Sequence, residues 1–510
     1  MYLAMNSSQQ IKLGAIMSYV AIGINIVSGL VYTPWMIRSI GRENFGLYTL
    51  ALSVITLFVF DFGLSAAVTR FIAKYLAEGR QDKANNCLGL VYRLYLAIDL
   101  VLLAVLAILY FFIPQIYKEL TPEEIDKFKI IYVMVSVYSV LSFPFIPVNG
   151  VLTAHEKFVQ LKMCDVAHKL MIVGAMTVCL LLGYGLYALV IVNVTSGLLT
   201  IVLKLWVIYF RTPQRINYGY YNRTEFGQVV SYSGWVTVMQ VAQRFIFNIA
   251  PSILGYFSGS ASIAILGIAM TIEGYTYTFS SAINGMFLPR VTRIVTHDSN
   301  ELLPLMVRVG RVQILIIGAI ILGFICLGQD FIQLWVGEKF SASYLCAVLI
   351  VLPSLLKLPQ EIGVQTIYAM DRVRHLAIVY VGMAILNIIL AISLAPSLGA
   401  LGISISVCIA YLFRTMGLDF IFWRELHIDV LTFFRKAFVP LLPPLVLVLI
   451  IDIMVVYYNP LALSWFSFVL ESLVFIVIYS CIMWIGGMNQ YEKDLVYAPL
   501  RKGWKKMCSR

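Results

Sequence analysis

Five polar residues, Ser233, Thr237, Gln240, Arg244 and Asn248, follow one another at spacings of four, three, four and four inside an otherwise apolar stretch. That spacing draws one polar stripe along one face of a helix, with an arginine near its middle. The stripe faces either a cavity or a partner helix, and Arg244 is either a cavity cation or a structural arginine paired with a carboxylate. Further along, Lys357 and Glu361 stand four apart around Pro359, so on a helix they either neutralise each other or line one cavity. Glu273, amid Tyr275, Tyr277, Thr278 and Ser281, and Asp61 are further deep carboxylates, each suited to binding a proton or sodium ion, to countering Arg244, or to packing. The chemistry open to such a set is recognition of a charged solute. For bond-breaking the sequence offers no H-E-x-x-H, no Walker loop and no G-x-S-x-G, and His155, His168, His297, His375 and His427 stand apart. No enzymatic activity, cofactor or metal is expected, and drive falls to an ion gradient, the membrane potential or downhill movement.

The elements that must hold these residues are membrane helices. Of 510 residues, 61% are apolar and 12% charged, with a mean hydropathy of +0.88, too little polar surface to coat a soluble particle of this size. Apolar runs of about 20 residues, the length that crosses a hydrocarbon core of roughly 30 Å, recur between short charged loops. They lie near 13–37, 44–68, 87–112, 128–152, 165–183, 186–209, 228–257, 261–287, 309–328, 344–369, 376–396, 399–422, 437–457 and 463–486. Runs of this length satisfy their own backbone only as helices, so the expected class is an all-α polytopic membrane protein of about fourteen spans. The first run is expected to be retained, being longer than a signal core. Eight scattered cysteines without a C-x-x-C pair read as packing residues.

A formal charge of +11 invites a nucleic-acid reading, but most of the 37 Lys and Arg residues fall in alternate loops and in a basic tail, Lys493 to Arg510. Placing those loops in the cytoplasm satisfies the positive-inside rule, puts both termini there and removes nucleic acid as a partner. The tail, with Trp504 among its bases, is either solvated or laid on anionic headgroups. Arg93, Lys204 and Arg414 lie close enough to cytoplasmic helix ends to snorkel. Asp99, Asp452 and Glu471 have no obvious partner.

The chain also resembles itself. Val68-Thr69-Arg70 closes the second run and Val291-Thr292-Arg293 the eighth, while Gly150-Val151-Leu152-Thr153 in the fourth corresponds to Gly363-Val364-Gln365-Thr366 in the tenth. Each set is followed by a basic loop, a helix, a glycine hairpin (Leu182-Gly183-Tyr184-Gly185; Leu398-Gly399-Ala400-Leu401-Gly402) and another helix. Pro144 and Pro147 interrupt the fourth run, and Pro353 and Pro359 the tenth, as a gate or as packing kinks. The expected organisation is therefore two six-helix lobes, 1–222 and 223–430, related by a pseudo-two-fold axis, followed by two extra helices and the tail at 431–510.

Three quoted stretches carry a family likeness: Ile40-Gly41-Arg42-Glu43-Asn44-Phe45-Gly46-Leu47-Tyr48, Asp61-Phe62-Gly63-Leu64-Ser65-Ala66-Ala67 and Thr69-Arg70-Phe71-Ile72-Ala73. Together they resemble the N-terminal signature of bacterial polysaccharide flippases, the Wzx-type exporters of the MOP superfamily, which also holds the MATE antiporters and the lipid II flippases. The resemblance implies two lobes in alternating access and an undecaprenyl-diphosphate-linked oligosaccharide as substrate. The diphosphate would pass a cationic cavity at Arg244, Lys357, Gln240 and Asn248, with Glu273, Glu361 and Asp61 as coupling sites for H+ or Na+ or as charge partners. Trp235, Tyr275 and Tyr277 would stack on sugars or, as aromatics in membrane helices more often do, simply pack. Partners implied are membrane lipids and the glycan polymerase and glycosyltransferases of the same pathway. By analogy with the lipid II branch, the two extra helices help form a groove for the lipid tail. A MATE-type drug or cation antiporter is the competing reading, disfavoured by the deep Arg and Lys; a membrane-embedded glycan polymerase or ligase would need a larger outside loop. On this reading Arg244→Ala and Lys357→Ala each abolish glycan assembly at unchanged membrane abundance.

Overall fold

The structure, a computed structural model, describes residues 7–58, 61–297, 301–370, 372–458, 462–495 and 497. The basic tail from 498 onward, the side chains of Lys12, Ser233, Ser281, Arg290, Thr292 and Arg293, and that of His297 lie outside the described residues. Among the described residues every regular element is a helix. The chain divides into two compact units, Met1–Gly267 with Tyr380–Val407, and Ile268–Val379 with Cys408–Arg510.

The first unit begins with α1 (Ser7–Ile40), α2 (Arg42–Phe58), α3 (Leu64–Ala77), α4 (Gln81–Ile116) and α5 (Pro122–Ser142). It continues with α6 (Val148–Ala154), α7 (Phe158–Leu181), α8 (Leu186–Arg211), α9 (Arg223–Phe247) and α10 (Ala250–Phe257). The start of α5 is fixed by a capping box: Thr121 accepts from the Glu124 backbone, the Glu124 carboxylate accepts from that of Thr121, and Pro122 takes the first position. The run at 44–68 does not stay whole. Gly63 adopts φ +69°, a left-handed conformation that suits glycine, and Asp61 accepts from the Ser65 amide at 2.9 Å, opening a new helix in place of continuing the old one. Prolines break the fourth run as their positions predict, with a 3-10 turn at Phe143–Phe145 between α5 and α6.

The motifs at Ser65, Thr69 and Gly150 form one helix crossing. The Thr69 hydroxyl donates to the Gly150 carbonyl at 3.1 Å and that of Ser65 to Ile146 at 3.3 Å, and a Cβ on Gly150 would lie 2.5 Å from the Ser65 carbonyl oxygen. Gly150→Val should therefore destabilise the protein by about 1–3 kcal/mol through overpacking, read as a lowered melting temperature in detergent.

The second unit holds most of α11 (Gly259–His297), then α12 (Leu302–Val336), α13 (Ala342–Val351), α14 (Ser354–Lys357) and α15 (Glu361–Ala369). The chain crosses the first unit through much of α16 (Val373–Leu398) and the start of α17 (Ala400–Glu425), then returns for the rest of α17, α18 (Val430–Ala437), α19 (Leu442–Tyr458) and α20 (Trp465–Ile482). Pro353 and Pro359 cut the tenth run into α13, α14, a 3-10 turn at Leu358–Gln360 and α15. A buried arginine closes one end of this unit. Arg311 binds both carboxylate oxygens of Glu492, at 2.5 and 3.0 Å, and donates to the Gly487 carbonyl at 2.7 Å. Removing Glu492 alone leaves that guanidinium without its counter-charge, so Glu492→Ala should cost about 3–5 kcal/mol, seen as loss of folded protein after solubilisation.

Among the described residues nine helices are long and apolar enough to cross a membrane, ten with the bent pair Val430–Ala437 and Leu442–Val455 taken as one span. Four of the fourteen runs are not among these ten. The run at 44–68 is interrupted by the turn at Asp61–Gly63, and that at 228–257 consists of the polar-striped α9 and the short α10. The runs at 13–37 and 261–287 lie in α1 and α11, helices of 34 and 39 residues whose side chains fall partly outside the described residues.

Candidate functional site

In the first unit the polar stripe of α9 lies along the break between α2 and α3. Thr237 donates to the Phe62 carbonyl at 2.5 Å, and the Asn248 side-chain oxygen accepts from Thr56 at 3.0 Å. Those two anchors hold the helix at both ends of the interruption, with Gln240 and Arg244 between them. Arg244 is half-buried and has no carboxylate partner among the described residues. A guanidinium withdrawn from water without a counter-ion is costly, and an arriving anion would relieve that cost. Asp61 is engaged elsewhere: besides capping α3 it accepts from the Tyr95 hydroxyl at 3.0 Å, tying the break to α4. Trp235 is exposed on α9. Asp99, buried on α4, has one carboxylate oxygen without a partner.

The second unit carries a separate, charge-paired cluster. Lys357 is buried, 4.0 Å from the Glu273 carboxylate and 4.2 and 5.3 Å from the ring centroids of Tyr411 and Tyr277. The aromatic faces add cation–π attraction to the ion pair. Glu361 does not pair with Lys357, because the helix breaks between them at Pro359. It accepts from Gln365 at 3.4 Å and sits 3.9 Å from Arg414. Arg414 is 1% exposed, so the expectation that it snorkels is corrected: it is turned inward onto a carboxylate. Lys204 likewise does not snorkel but bonds Asp165 at 2.9 Å, whereas Arg93 is exposed and donates to the Tyr218 carbonyl at 2.5 Å.

Sequence reasoning passed over Gln360 and Asp419. The Gln360 amide donates to Asp419 at 2.8 Å and its own oxygen, fully buried, has no partner. Glu273 thus faces Lys357 and Glu361 faces Arg414, while Asp419 bonds the neutral Gln360 and forms no ion pair among the described residues. The only signal for this in the sequence is an uncharged glutamine directly before Glu361, at the proline break. An apolar cavity of 260 Å³ lies between α11, α12 and α20 of this unit, with Gly323, Phe331 and Phe475 in its wall. On α19, Asp452 is buried with one oxygen unpartnered among the described residues.

The loop ends of the first unit hold a titratable group. His155, after α6, donates from Nε2 to the Gln214 side-chain oxygen at 3.3 Å, and burial pushes its pKa down, against the opposing pull of that bond and with help from Lys157. The unfolded chain therefore takes up a proton first as pH falls through the ordinary histidine range near 6.5. The stability contributed by neutral His155 is present above that range and is lost as pH falls towards its lower folded value. His155→Gln should flatten the acid-side decline in melting temperature between pH 7 and 5.

The many long apolar helices, with a half-buried arginine on one unit that meets no carboxylate among the described residues and a buried ion-pair cluster on the other, are those of a multi-pass membrane protein. The polysaccharide biosynthesis protein family model matches residues 12–295, more than half the chain, and the protein belongs to that family. No curated protein matches the sequence. Solved structures with the same fold include the lipid II flippase MurJ in an inward closed conformation, with a TM-score of 0.68 and 14% identity over 95% of this chain and 99% of that one. An inward-facing multidrug resistance MATE family transporter of the MOP superfamily aligns with a TM-score of 0.60 and 13% identity, over 84% of this chain and 99% of its own. The eukaryotic MATE transporter AtDTX14 gives 0.58 and 14%, covering 84% of this chain and 98% of its own.

Proposed function

We propose that this protein is a flippase that carries an undecaprenyl-diphosphate-linked oligosaccharide, the repeat unit of an O-antigen, capsule or exopolysaccharide, across the bacterial inner membrane. The observation that carries the reading is Arg244, a half-buried cation with no carboxylate partner among the described residues and with Gln240 one turn away. A diphosphate supplies the missing negative charge, and the family membership supports a glycan as the rest of the cargo. The lobes at 1–222 and 223–430 alternate in access, ion-gradient coupled, with both termini cytoplasmic. The apolar cavity between α11, α12 and α20 supports a place for the lipid tail beside the helices at 431–510.

Depletion of the protein in its host tests this reading: the lipid-linked oligosaccharide should accumulate on the cytoplasmic leaflet, and continued surface glycan without accumulation contradicts it. A second reading, a MATE-type cation antiporter, is favoured by one observation, the carboxylate of Asp419, which forms no ion pair among the described residues. It predicts ethidium efflux that Asp419→Asn abolishes, whereas the flippase reading predicts none.

A further inference from the structure

A polar cavity of 230 Å³ lies in the first unit between α5, α6, α7 and α8, apart from the α9 stripe. Asp165 lies in its wall, with Lys204 2.9 Å from one carboxylate oxygen, while Lys162, outside the wall, is 3.4 Å from the other. Lys204 also donates to the Asn149 side-chain oxygen at 3.1 Å. His168 holds its Nδ1 at 2.8 Å from the Thr200 hydroxyl and 3.2 Å from the Ser196 carbonyl. Because Thr200 itself donates to Ser196 at 2.7 Å, both neighbours accept from the histidine, which fixes the proton on Nδ1. Gly197 makes the room: a Cβ there would lie 2.3 Å from the Tyr138 hydroxyl in the cavity wall.

Lys204 and Asn149 keep donors to spare in this cavity. Both Asp165 oxygens and the Asn149 oxygen face lysines, while the third hydrogen of Lys204 and the Asn149 amide hydrogens have no acceptor among the described residues. Lys162, outside the cavity wall, shares the Asp165 carboxylate and so weakens its hold on Lys204. Val148 lines this cavity and also a neighbouring apolar cavity of 360 Å³ walled by Leu88, Val151, Leu205 and Ile208. A compartment with free Lys204 and Asn149 donors adjoining an oily one matches an amphiphile with a phosphate head.

We infer that these paired cavities form a binding site for a lipid phosphate, with the oxyanion on Lys204 and Asn149 and the chain against Val148 and Leu205. The site stands whether or not Arg244 receives the transported diphosphate. The test is native mass spectrometry of the full chain in detergent, titrated in turn with dioleoylphosphatidylglycerol, dioleoylphosphatidylcholine and farnesyl diphosphate. Phosphatidylglycerol or farnesyl diphosphate should bind the wild type, and the tighter of the two assigns the source as phospholipid or polyprenyl diphosphate. Lys204→Met should weaken that binding at least tenfold and Lys204→Arg should keep it. Asp165→Asn should bind no more weakly than wild type, since it removes a competing carboxylate. Undiminished binding in Lys204→Met, equal loss in Asp165→Asn and Lys204→Met, or equal binding of the zwitterionic lipid would each overturn the inference. If Lys204→Met does not fold, the Lys204→Arg and Asp165→Asn comparison carries the test.

Discussion

Arg244→Ala should stop glycan export while leaving the amount of protein in the membrane unchanged. A charge-assisted hydrogen bond is worth about 1.5–3 kcal/mol, so its loss should weaken binding of a polyprenyl diphosphate by roughly 10- to 150-fold. Abundance should hold because truncation strands no carboxylate: none among the described residues pairs with Arg244. Arg244→Lys should recover part of the activity, since the charge remains and the forked geometry does not. Binding measured with a soluble short-chain diphosphate, alongside immunoblotting of membranes, separates these outcomes. A drop in protein level matching the drop in export would assign Arg244 to folding.

Lys357→Ala should behave in the opposite way. Its ammonium is buried against Glu273, itself 9% exposed, and removing one member of a buried pair costs about 3–5 kcal/mol because the survivor is left uncompensated. Membrane abundance should fall severalfold and the melting temperature with it. The double variant Lys357→Met/Glu273→Gln removes both charges and should restore folded protein, by the same logic that makes an apolar replacement of a buried pair close to neutral. Wild-type abundance in Lys357→Ala, or failure of the double variant to recover it, would show that the pair is not what stabilises this unit. The two cations, expected to be alike from sequence, therefore separate into one that meets no carboxylate among the described residues and one already paired with Glu273.

That separation marks how far the sequence could be read. The α9 stripe was legible because helical spacing is local: Thr237, Gln240, Arg244 and Asn248 share a face whatever surrounds them. The proline breaks near Pro147 and Pro359 were legible for the same reason. Partnership was not. Glu361 is four residues from Lys357, but the broken helix turns it to Arg414, and the mate of Lys357 is on α11, 84 positions earlier in the sequence. Arg414 looked like a snorkelling residue since distance from a helix end can be counted, whereas the carboxylate awaiting it cannot. Asp419 and Gln360 were missed because their bond exists only once α17 lies beside the 3-10 turn at Leu358–Gln360. The break at Asp61–Gly63 lay within a quoted motif. Its glycine signals a turn only when the aspartate before it is seen to cap the helix that follows.

Reconstitution shows whether the protein moves an anionic lipid-linked glycan. Purified protein in liposomes loaded with a fluorescent polyprenyl-diphosphate oligosaccharide should move the glycan between leaflets, read as a fraction newly protected from, or newly exposed to, an external glycosidase. Movement should run well above that in protein-free liposomes and should be lost in Arg244→Ala. Movement no faster than in empty liposomes, or equal rates in wild type and Arg244→Ala, would contradict the flippase reading.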